Sequence, residues 1–446
     1  APATVFAVAF FAIGASLSAL ARGGPAYLSP LAPRTLGASY SALTSGILIN
    51  GADVDACEIL SGYEGMGSIV VENNILKNAT YAGIDFYNFT SGAAPTTNNY
   101  IRYNKIDGIG ETTYNWGLGI LVTRNFYADV TDNVITHTRV GIQADYHTLP
   151  NPGTTGRVSN NQISAWRLGL FLNQQYSSGT PLIIANNTFT AENYAGATNW
   201  SGILVSTITG TANTTITGNT IVIPPTDTHT GYTTGYNVWN TSTTASLTIS
   251  GGTVTGGDYG VYVNNFDGYS SPSNNTSIII DHVTIVDSEI AGVYVKDDTR
   301  NSNVPAATVF ANIQNSIIDT DATGILVEGN DATAIATDNN LAGNPTFGIN
   351  NLNPSFTLDA SPNWWGTAAL SNITPMIHGL VTYQPYWVNA AMTILSSAPV
   401  NSVFVDDNFT STVCGGHICG YDAFATIQEG VAAVAAGGTV NVGDGT

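Results

Sequence analysis

The chain has 446 residues, of which 9% are charged, and acidic residues outnumber basic ones by 31 to 11, giving a formal net charge of −20. A chain with so few basic residues has no stripe of positive charge for phosphates, so nucleic-acid binding is not expected. An anionic surface would also be repelled by acidic lipids. The scarcity of lysine favours an extracellular protein over a cytosolic enzyme.

Residues 1–21 are apolar throughout, and three interpretations of this segment remain open. It has the apolar stretch of a secretory signal, although the basic start of such a signal is missing. It barely reaches the roughly 20 apolar residues of a membrane span, in which case it would act as a membrane anchor. The interpretation that we favour is a segment buried over the end of the fold or in a neighbouring subunit. Residues 22–40 contain Gly, Pro and Ser and are predicted to be a linker, so that residues 1–40 form one N-terminal region.

An Asn-rich corner followed by an apolar residue returns along most of the sequence. Its copies are Tyr103-Asn104-Lys105-Ile106, Asp132-Asn133-Val134-Ile135, Asn160-Asn161-Gln162-Ile163, Asn186-Asn187-Thr188-Phe189, Gly218-Asn219-Thr220-Ile221, Gly251-Gly252-Thr253-Val254 and Gln314-Asn315-Ser316-Ile317. From Ile106 to Val254 the steps between the apolar corner residues are 29, 28, 26, 32 and 33 residues. A period that drifts in this way predicts a solenoid whose loops vary in length while its strands stay in register. Asn suits the corners because it tolerates a left-handed backbone and because its amide can hydrogen-bond the same residue of the next coil.

A second phrase, Gly followed by alternating apolar residues, comes after each corner. Clear copies are Gly119-Ile120-Leu121-Val122, Gly169-Leu170-Phe171-Leu172, Gly202-Ile203-Leu204-Val205, Gly260-Val261-Tyr262-Val263, Gly292-Val293-Tyr294-Val295 and Gly324-Ile325-Leu326-Val327. Because the apolar residues alternate with a period of two, these segments are predicted to be strands with one buried face and one solvent-exposed face. The residues expected to point inward include Ile120, Val122, Leu170, Leu172, Ile203, Val205, Val261, Val263, Ile325 and Val327. The first such strand is expected near Leu43, at Gly46-Ile47-Leu48-Ile49, and the coils are predicted to fill residues 41–350.

After the coils come Ser361-Pro362-Asn363-Trp364-Trp365-Gly366-Thr367 and then Val381-Thr382-Tyr383-Gln384-Pro385-Tyr386-Trp387. In these phrases the sequence resembles the right-handed parallel β-helix proteins of the pectate-lyase-like superfamily, particularly secreted bacterial and archaeal surface modules, in which such phrases close the β-helix. The resemblance implies an all-β fold, a single-stranded right-handed parallel β-helix (a solenoid), closed by residues 351–395. Such a body would have about ten or eleven coils and, at roughly 4.8 Å between coils, a length on the order of 50 Å.

The C-terminal residues 396–446 resemble the opening of a further β-helix module. Val405-Asp406-Asp407-Asn408-Phe409 is followed by a predicted amphipathic helix over residues 424–436 and by the strand phrase Gly437-Gly438-Thr439-Val440-Asn441-Val442. We expect residues 403–446 of one copy to dock on residues 41–75 of the next by strand addition, which gives a head-to-tail homopolymer. The residues expected at this assembly interface are Gly46, Ile47, Ile49, Phe424, Ile427, Val431, Val434, Val440 and Val442.

Two phrases of the sequence are weakly similar to the catalytic motifs of polysaccharide-degrading enzymes. Ile280-Asp281-His282 resembles a strand of pectate lyases, but the accompanying Arg-x-Pro-x-x-Arg phrase is absent and only Lys296 and Arg300 lie nearby. Asp297-Asp298 resembles the paired aspartates of pectin hydrolases without their other parts. We interpret Asp281 and His282 as a corner residue and a wall residue, and we expect no enzyme activity, no metal ion and no cofactor.

The function favoured by the sequence is therefore that of a structural, adhesin-like subunit of an extracellular filament or cell-surface assembly. The alternative is a secreted carbohydrate-binding protein, or a polysaccharide lyase or hydrolase, and surface glycans remain open as partners. Aromatic residues in or near the longer loops 146–156 and 224–235 could stack on sugars or shield the edges of the coils, and we favour shielding. These residues are Tyr146, Tyr232, Tyr236 and Trp239.

Cys414 and Cys419 are close enough to pair around Gly415-Gly416, which leaves Cys57 buried as a free thiol or bonded to another chain. A metal site of Cys414, Cys419 and His417 would be incomplete, so a disulfide is favoured. Sequons permit glycosylation of exposed loops at Asn78, Asn88, Asn186, Asn199, Asn213, Asn240, Asn274, Asn275, Asn372 and Asn408.

Overall fold

The computed structural model describes residues 69–79, 81–87, 99–108, 117–123, 128–145, 157–173, 175–177, 182–206, 213–239, 246–265, 275–298 and 308–444, together with the backbone of the strands Arg34–Ala38, Ile47–Asn50, Asp53–Asp55, Cys57–Ser61, Thr148–Leu149 and Ile208–Gly210. The chain divides into two compact units, with the boundary after Gly257 and with residues 274–277 belonging to the first unit. In both units the strands stack in parallel, one coil on the next, so the protein is a parallel β-helix.

The first unit contains three series of parallel strands, and each coil contributes one strand to each series. Lead strands come before the Asn corner: Ile47–Asn50, Ile69–Glu72, Tyr100–Arg102, Asp129–Thr131, Arg157–Ser159, Leu182–Ala185, Asn213–Thr217 and Ser246–Ser250. Corner strands follow the Asn: Asp53–Asp55, Ile75–Lys77, Lys105–Asp107, Thr188–Ala191, Thr220–Val222 and Thr253–Thr255. Glycine strands come last: Arg34–Ala38, Cys57–Ser61, Ala82–Tyr87, Leu118–Thr123, Trp200–Val205 and Thr233–Trp239. The long strands Val134–Asp145 and Gln162–Asn173 combine a corner strand and a glycine strand, and a small side sheet consists of Thr148–Leu149, Gln175–Ser177 and Ile208–Gly210.

The second unit repeats the same three series. Its lead strands are Thr276–Asp281 (from residue 278), Val309–Gln314, Ala332–Thr337, Leu358–Asp359 and Val381–Thr382. Its corner strands are Thr284–Val286 and Ile317–Asp319, and its glycine strands are Tyr259–Asn264, Ala291–Lys296, Thr323–Glu328, Phe347–Asn351 and Ile377–His378. The helix α1 (Leu370–Ile373) and a 3-10 turn (Thr374–Met376) precede the strand Ile377–His378, and both Trp365 and the α1 residue Ile373 are fully buried. The unit ends with the strands Val400–Val405, Ala423–Phe424 and Val434–Val442 and with the helix α2 (Ile427–Ala433).

The predicted Asn ladder is present at the corner between the lead strand and the corner strand. In the first unit the first five Asn residues of the ladder each donate a side-chain amide N–H to the side-chain oxygen of the Asn in the next coil, at 2.9 to 3.0 Å, and the residue before each ladder Asn has a positive φ. The ladder consists of Asn74, Asn104, Asn133, Asn161, Asn187 and Asn219. Asn161 shows the bonding pattern, because its amide also donates to the carbonyl of Val130 at 2.9 Å while its oxygen accepts the backbone N–H of Asn133 at 3.0 Å. These bonds satisfy backbone groups that the sharp corner would otherwise leave buried and unpaired.

The glycine of each glycine strand is required by a close approach between coils. A Cβ atom on Gly119 would lie 2.5 Å from the carbonyl oxygen of Gly141 in the next coil and 2.6 Å from Cγ2 of Ile135. Since real Cβ atoms do not approach that closely, the glycine column lets the corner strand pack tightly under the glycine strand.

The core is the column of inward side chains, and the sequence prediction of its members is confirmed. All ten residues predicted to point inward have 2% exposure or less. The lead strands add a further wall, with Val158, Ile184, Ile216 and Ile249 buried, which the sequence analysis did not assign.

The predicted number of coils and their N-terminal boundary were wrong. The lead strands number thirteen within the described part of the chain, whereas ten or eleven coils were predicted. The strand Arg34–Ala38 pairs in parallel with Cys57–Ser61, so the coils begin inside the segment that was predicted to be a linker. Residues 1–33 lie outside the described part of the chain, so all three interpretations of residues 1–21 stay open. Among the residues that the structure describes, no helix is long and apolar enough to span a membrane.

Candidate functional site

The candidate assembly surface is the C-terminal module, which we define as residues 400–444. Val400–Val405 is its central strand and pairs in parallel with Ala423–Phe424 on one side and with Val434–Val442 on the other. The last strand therefore has a partner within its own chain, which the sequence analysis did not assign. The module contains a helix and the strand of the Gly-Gly-Thr-Val phrase, which the resemblance implied, and also a three-stranded parallel sheet, which was not predicted.

Helix α2 is shorter than predicted, and its packing residue differs. It begins after Thr426, whose hydroxyl accepts the N–H of Glu429 while the Glu429 carboxylate accepts the N–H of Thr426, a capping box. Gly430 is its buried residue, and a Cβ there would lie 2.6 Å from Val405. Phe424 and Val434, predicted to be helical, belong to strands.

The apolar residues predicted at the assembly interface lie largely at the surface of this module. Ile427 is 50% exposed, Val431 is 58% exposed and Val442 is 57% exposed, whereas Phe424, Val434 and Val440 are half-buried. Ile427 and Val431 are four residues apart and so lie on one face of α2. Of the expected docking partners, Gly46 lies outside the described residues, and Ile47 and Ile49 are described only as backbone of the strand Ile47–Asn50.

A disulfide joins Cys414 and Cys419, as predicted, with an S–S distance of 2.10 Å. The ring of His417, between the two cysteines in sequence, stacks on Phe404 of the central strand with the ring centroids 3.6 Å apart. The disulfide closes the loop between the first two strands on itself, and the ring contact of His417 with Phe404 holds this loop to the sheet. The side chain of Cys57 is outside the described part of the chain.

Of the residues considered for catalysis, the neighbours Asp281 and His282 are in contact, with Nδ1 of His282 2.9 Å from Oδ1 of Asp281. His282 is the positive-φ corner residue, with its side chain 69% exposed, and Asp281 is the last residue of a lead strand, so the prediction of Asp281 at the corner and His282 in the wall was wrong. Asp281 accepts hydrogen bonds from Gln314 and Asn315 at 3.2 and 2.9 Å. Lys296 ends a glycine strand and pairs instead with Glu328 at 3.8 Å. Asp297 accepts the side-chain amide of Asn265, and Asp298 donates its N–H to the same Asn. Arg300 lies outside the described residues.

An acid–histidine cluster in the first unit was missed by the sequence analysis. Nδ1 of His137 lies 2.6 Å from Oδ1 of Asp107, and the backbone N–H of His137 donates to Oε1 of Glu192 at 3.2 Å. The hydrogen bond to Asp107 raises the pKa of His137, the same bond lowers the pKa of Asp107, and burial raises the pKa of Glu192. Asp107 ends a corner strand, His137 lies in the long strand Val134–Asp145, and Glu192 follows a corner strand. Because the side chains of His137 and Asp107 are 72% and 57% exposed, solvent screens this ion pair, which links two neighbouring coils.

A second feature missed from the sequence is a groove along the corners of the second unit, which we name the corner groove. It has a volume of about 330 Å³ and is lined by Asn315, Ser316, Ile317, Asp338, Trp387 and Met392. The indole N–H of Trp387 donates to Oδ1 of Asp338 at 2.9 Å. No group of three or more His, Cys, Asp or Glu residues within the described ranges is arranged to hold a metal ion.

The loop aromatics have different environments. Tyr236 is buried in a glycine strand with 1% exposure, Tyr232 is 37% exposed, and the indole of Trp239 donates to Asn237 at 2.5 Å. Tyr146 lies outside the described residues. The Tyr236 position fits shielding of the coil interior rather than contact with a sugar.

Glycosylation stays a prediction, but the sequons differ in exposure. Asn78, Asn186 and Asn408 are exposed, whereas Asn199, Asn275 and Asn372 are half-buried. Asn88, Asn240, Asn274 and the side chain of Asn213 lie outside the described part of the chain.

Comparison with known proteins gives little. No family model matches the chain, and no curated protein matches it. Among solved structures, the chain is similar to the gp42 tailspike of Acinetobacter phage vb_AbaP_AS12, at 12% sequence identity and a TM-score of 0.32. The similarity covers 84% of this chain, and the chain spans 65% of the length of the tailspike chain.

Proposed function

We propose that the protein is a structural β-helical subunit of an extracellular surface assembly, in which the C-terminal module of one copy docks on the first coils of another. The observation that carries this proposal is the surface of the module, where apolar side chains of α2 and of the last strand are at least half exposed. Such residues cost free energy in water unless a partner covers them.

The partner that fits is a second copy of the same chain. Within the described module, the strand Val434–Val442 is paired along one edge, with Val400–Val405. Its other edge can accept a parallel strand by strand addition, and coils of parallel strands are what this chain itself provides. Repeating one such heterologous contact gives a head-to-tail filament.

The test compares the full chain with Ile427→Glu/Val431→Glu by light scattering coupled to size-exclusion chromatography over a concentration series. A matched control is Val413→Glu, because Val413 is 65% exposed in the same module but lies outside its strands and helix. We expect the unaltered chain and the control to form oligomers and the double variant to be monomeric. A monomeric unaltered chain, or a double variant that associates normally, would contradict the proposal.

A further inference from the structure

We propose that the corner groove binds a neutral sugar residue of a glycan, with the ring of Trp387 as the stacking surface and Asp338 as the acceptor for sugar hydroxyl groups. This site is independent of assembly through the C-terminal module, and neither proposal requires the other.

The size and the lining of the groove fit one or two sugar rings. A volume of about 330 Å³ is at the lower end for small-molecule sites. The indole of Trp387, the thioether of Met392 and the side chain of Ile317 form its apolar part, and Ile317 is 43% exposed. A pyranose presents a face of C–H groups that suits such a surface, and its hydroxyl groups suit the polar part formed by Asn315, Ser316 and Asp338.

The aromatic wall of the groove is held in place before any ligand binds. The indole N–H of Trp387 is fixed by Asp338 at 2.9 Å, and the backbone N–H of Trp387 donates to the carbonyl of Asn363 at 3.0 Å. Because the indole ring is already ordered in the folded protein, binding a ligand does not have to order it, which lowers the entropic cost of binding.

The groove is also lined by a residue with a strained backbone. Met392 has a φ of 52°, which is uncommon for a bulky side chain. The strain is held by a tight turn, in which the N–H of Met392 donates to the carbonyl of Asn389 at 2.9 Å and the Asn389 side chain accepts the N–H of Thr393 at 3.0 Å. Strain of this kind is concentrated at ligand sites, and here it places a polarisable side chain at the groove.

Charge decides between neutral and acidic sugars. Asp338 lines the groove, Asp281 lies beside it through its hydrogen bond to Asn315 at 2.9 Å, and none of the six lining residues is basic. With a formal net charge of −20 on the whole chain, a uronate or a sulfated sugar would be repelled. A carboxylate is, in contrast, a strong acceptor for the hydroxyl groups of a neutral sugar.

The test is affinity electrophoresis of the full chain in native gels that contain soluble β-glucan, mannan, galactan or polygalacturonate. We expect retardation by at least one neutral polysaccharide and none by polygalacturonate. Trp387→Ala and Ile317→Glu are each expected to weaken the retardation at least tenfold, and Ile317→Glu decides the question if Trp387→Ala fails to fold. Trp166→Ala is the matched control, because Trp166 is a half-buried tryptophan of the first unit that stacks on Tyr194. The proposal is overturned if no neutral polysaccharide retards the chain, if polygalacturonate retards it more strongly, or if the two groove variants bind like the control.

Discussion

Asp321 gives the sharpest test of the packing between coils, because it is a carboxyl group in a place where the neighbouring coil uses an amide. It is fully buried, its Oδ1 accepts the N–H of Ser288 at 2.7 Å, and its Oδ2 has no hydrogen-bond partner. Burial raises the pKa of Asp321 from 3.8 to about 7, although the Ser288 hydrogen bond opposes the shift. In the next coil, the amide of Asn344 donates to the carbonyls of Ile318 and Leu341 at 2.8 and 3.0 Å.

The sign of the pH dependence follows from proton binding. Between pH 3.8 and about 7 the folded state keeps a proton that the unfolded state has lost, so stability falls as the pH rises through this window. Above about pH 7 the full cost of ionising the buried Asp321 carboxyl is present, and the difference between a pKa of 3.8 and one of about 7 corresponds to about 4 kcal/mol at most. We expect Asp321→Asn to remove this cost, so that the variant is more stable than the unaltered chain by about 2–4 kcal/mol at alkaline pH and nearly equal to it at about pH 4.

Urea denaturation at several pH values measures this difference in the free energy of unfolding. Asn344→Asp is the complementary variant, since it places a second carboxylate against two carbonyls and should destabilise the protein increasingly as the pH rises. The reasoning is refuted if Asp321→Asn lowers stability at alkaline pH, or if its effect is the same at every pH.

Three further predictions concern the coil corners and the glycine column. In Asn161→Ala, the buried backbone groups that bond the Asn161 side chain lose their partner, so the free energy of unfolding should fall by about 3–5 kcal/mol. The substitution Asn160→Gly, at the exposed corner residue before it, should change the free energy of unfolding very little, because a φ of 57° suits glycine. Equal losses in the two variants would contradict the ladder. Gly119→Ala should destabilise the chain by about 2–3 kcal/mol, because the added Cβ would clash with a carbonyl 2.5 Å away, and a neutral result would show that the coils are spaced more loosely. The pKa of His137, followed by NMR, should lie above its usual value and fall in Asp107→Asn. Stability from this pair is present while Asp107 is ionised and His137 is protonated, and it is lost as the pH rises through the folded-state pKa of His137. An unchanged His137 titration in Asp107→Asn would contradict the pairing.

The repeat was predictable from the sequence because its two strongest signals are local. Backbone geometry requires Asn at each corner and Gly in each glycine strand, so the same residue types recur at equivalent positions along the sequence. The lead strands were missed because they lack such a marker, and strands such as Asn213–Thr217 consist largely of Thr. Only the pairing of Ile216 with Ile249 one coil away shows that its side chain is part of the core.

The candidate sites were less predictable, since they depend on contacts between coils. His137 meets Glu192 across 55 residues, and Trp387 meets Asp338 across 49. Loop lengths decide which coil faces which, and the sequence does not give the path of a loop. A helix in the C-terminal module was predicted, but its ends and its packing residue were not, because a buried Gly430 carries no hydrophobic signal.

The docking of one copy on another is tested most directly by photo-crosslinking from α2. A benzoylphenylalanine at position 431, in place of the exposed Val431, would be irradiated in a mixture of ¹⁴N- and ¹⁵N-labelled full chains, and the crosslinked peptides would be identified by mass spectrometry. The proposed assembly predicts mixed-isotope crosslinks between this position and residues 41–75 of another copy. Crosslinks that join only peptides of the same isotope, or mixed ones that fall outside that range, would contradict it.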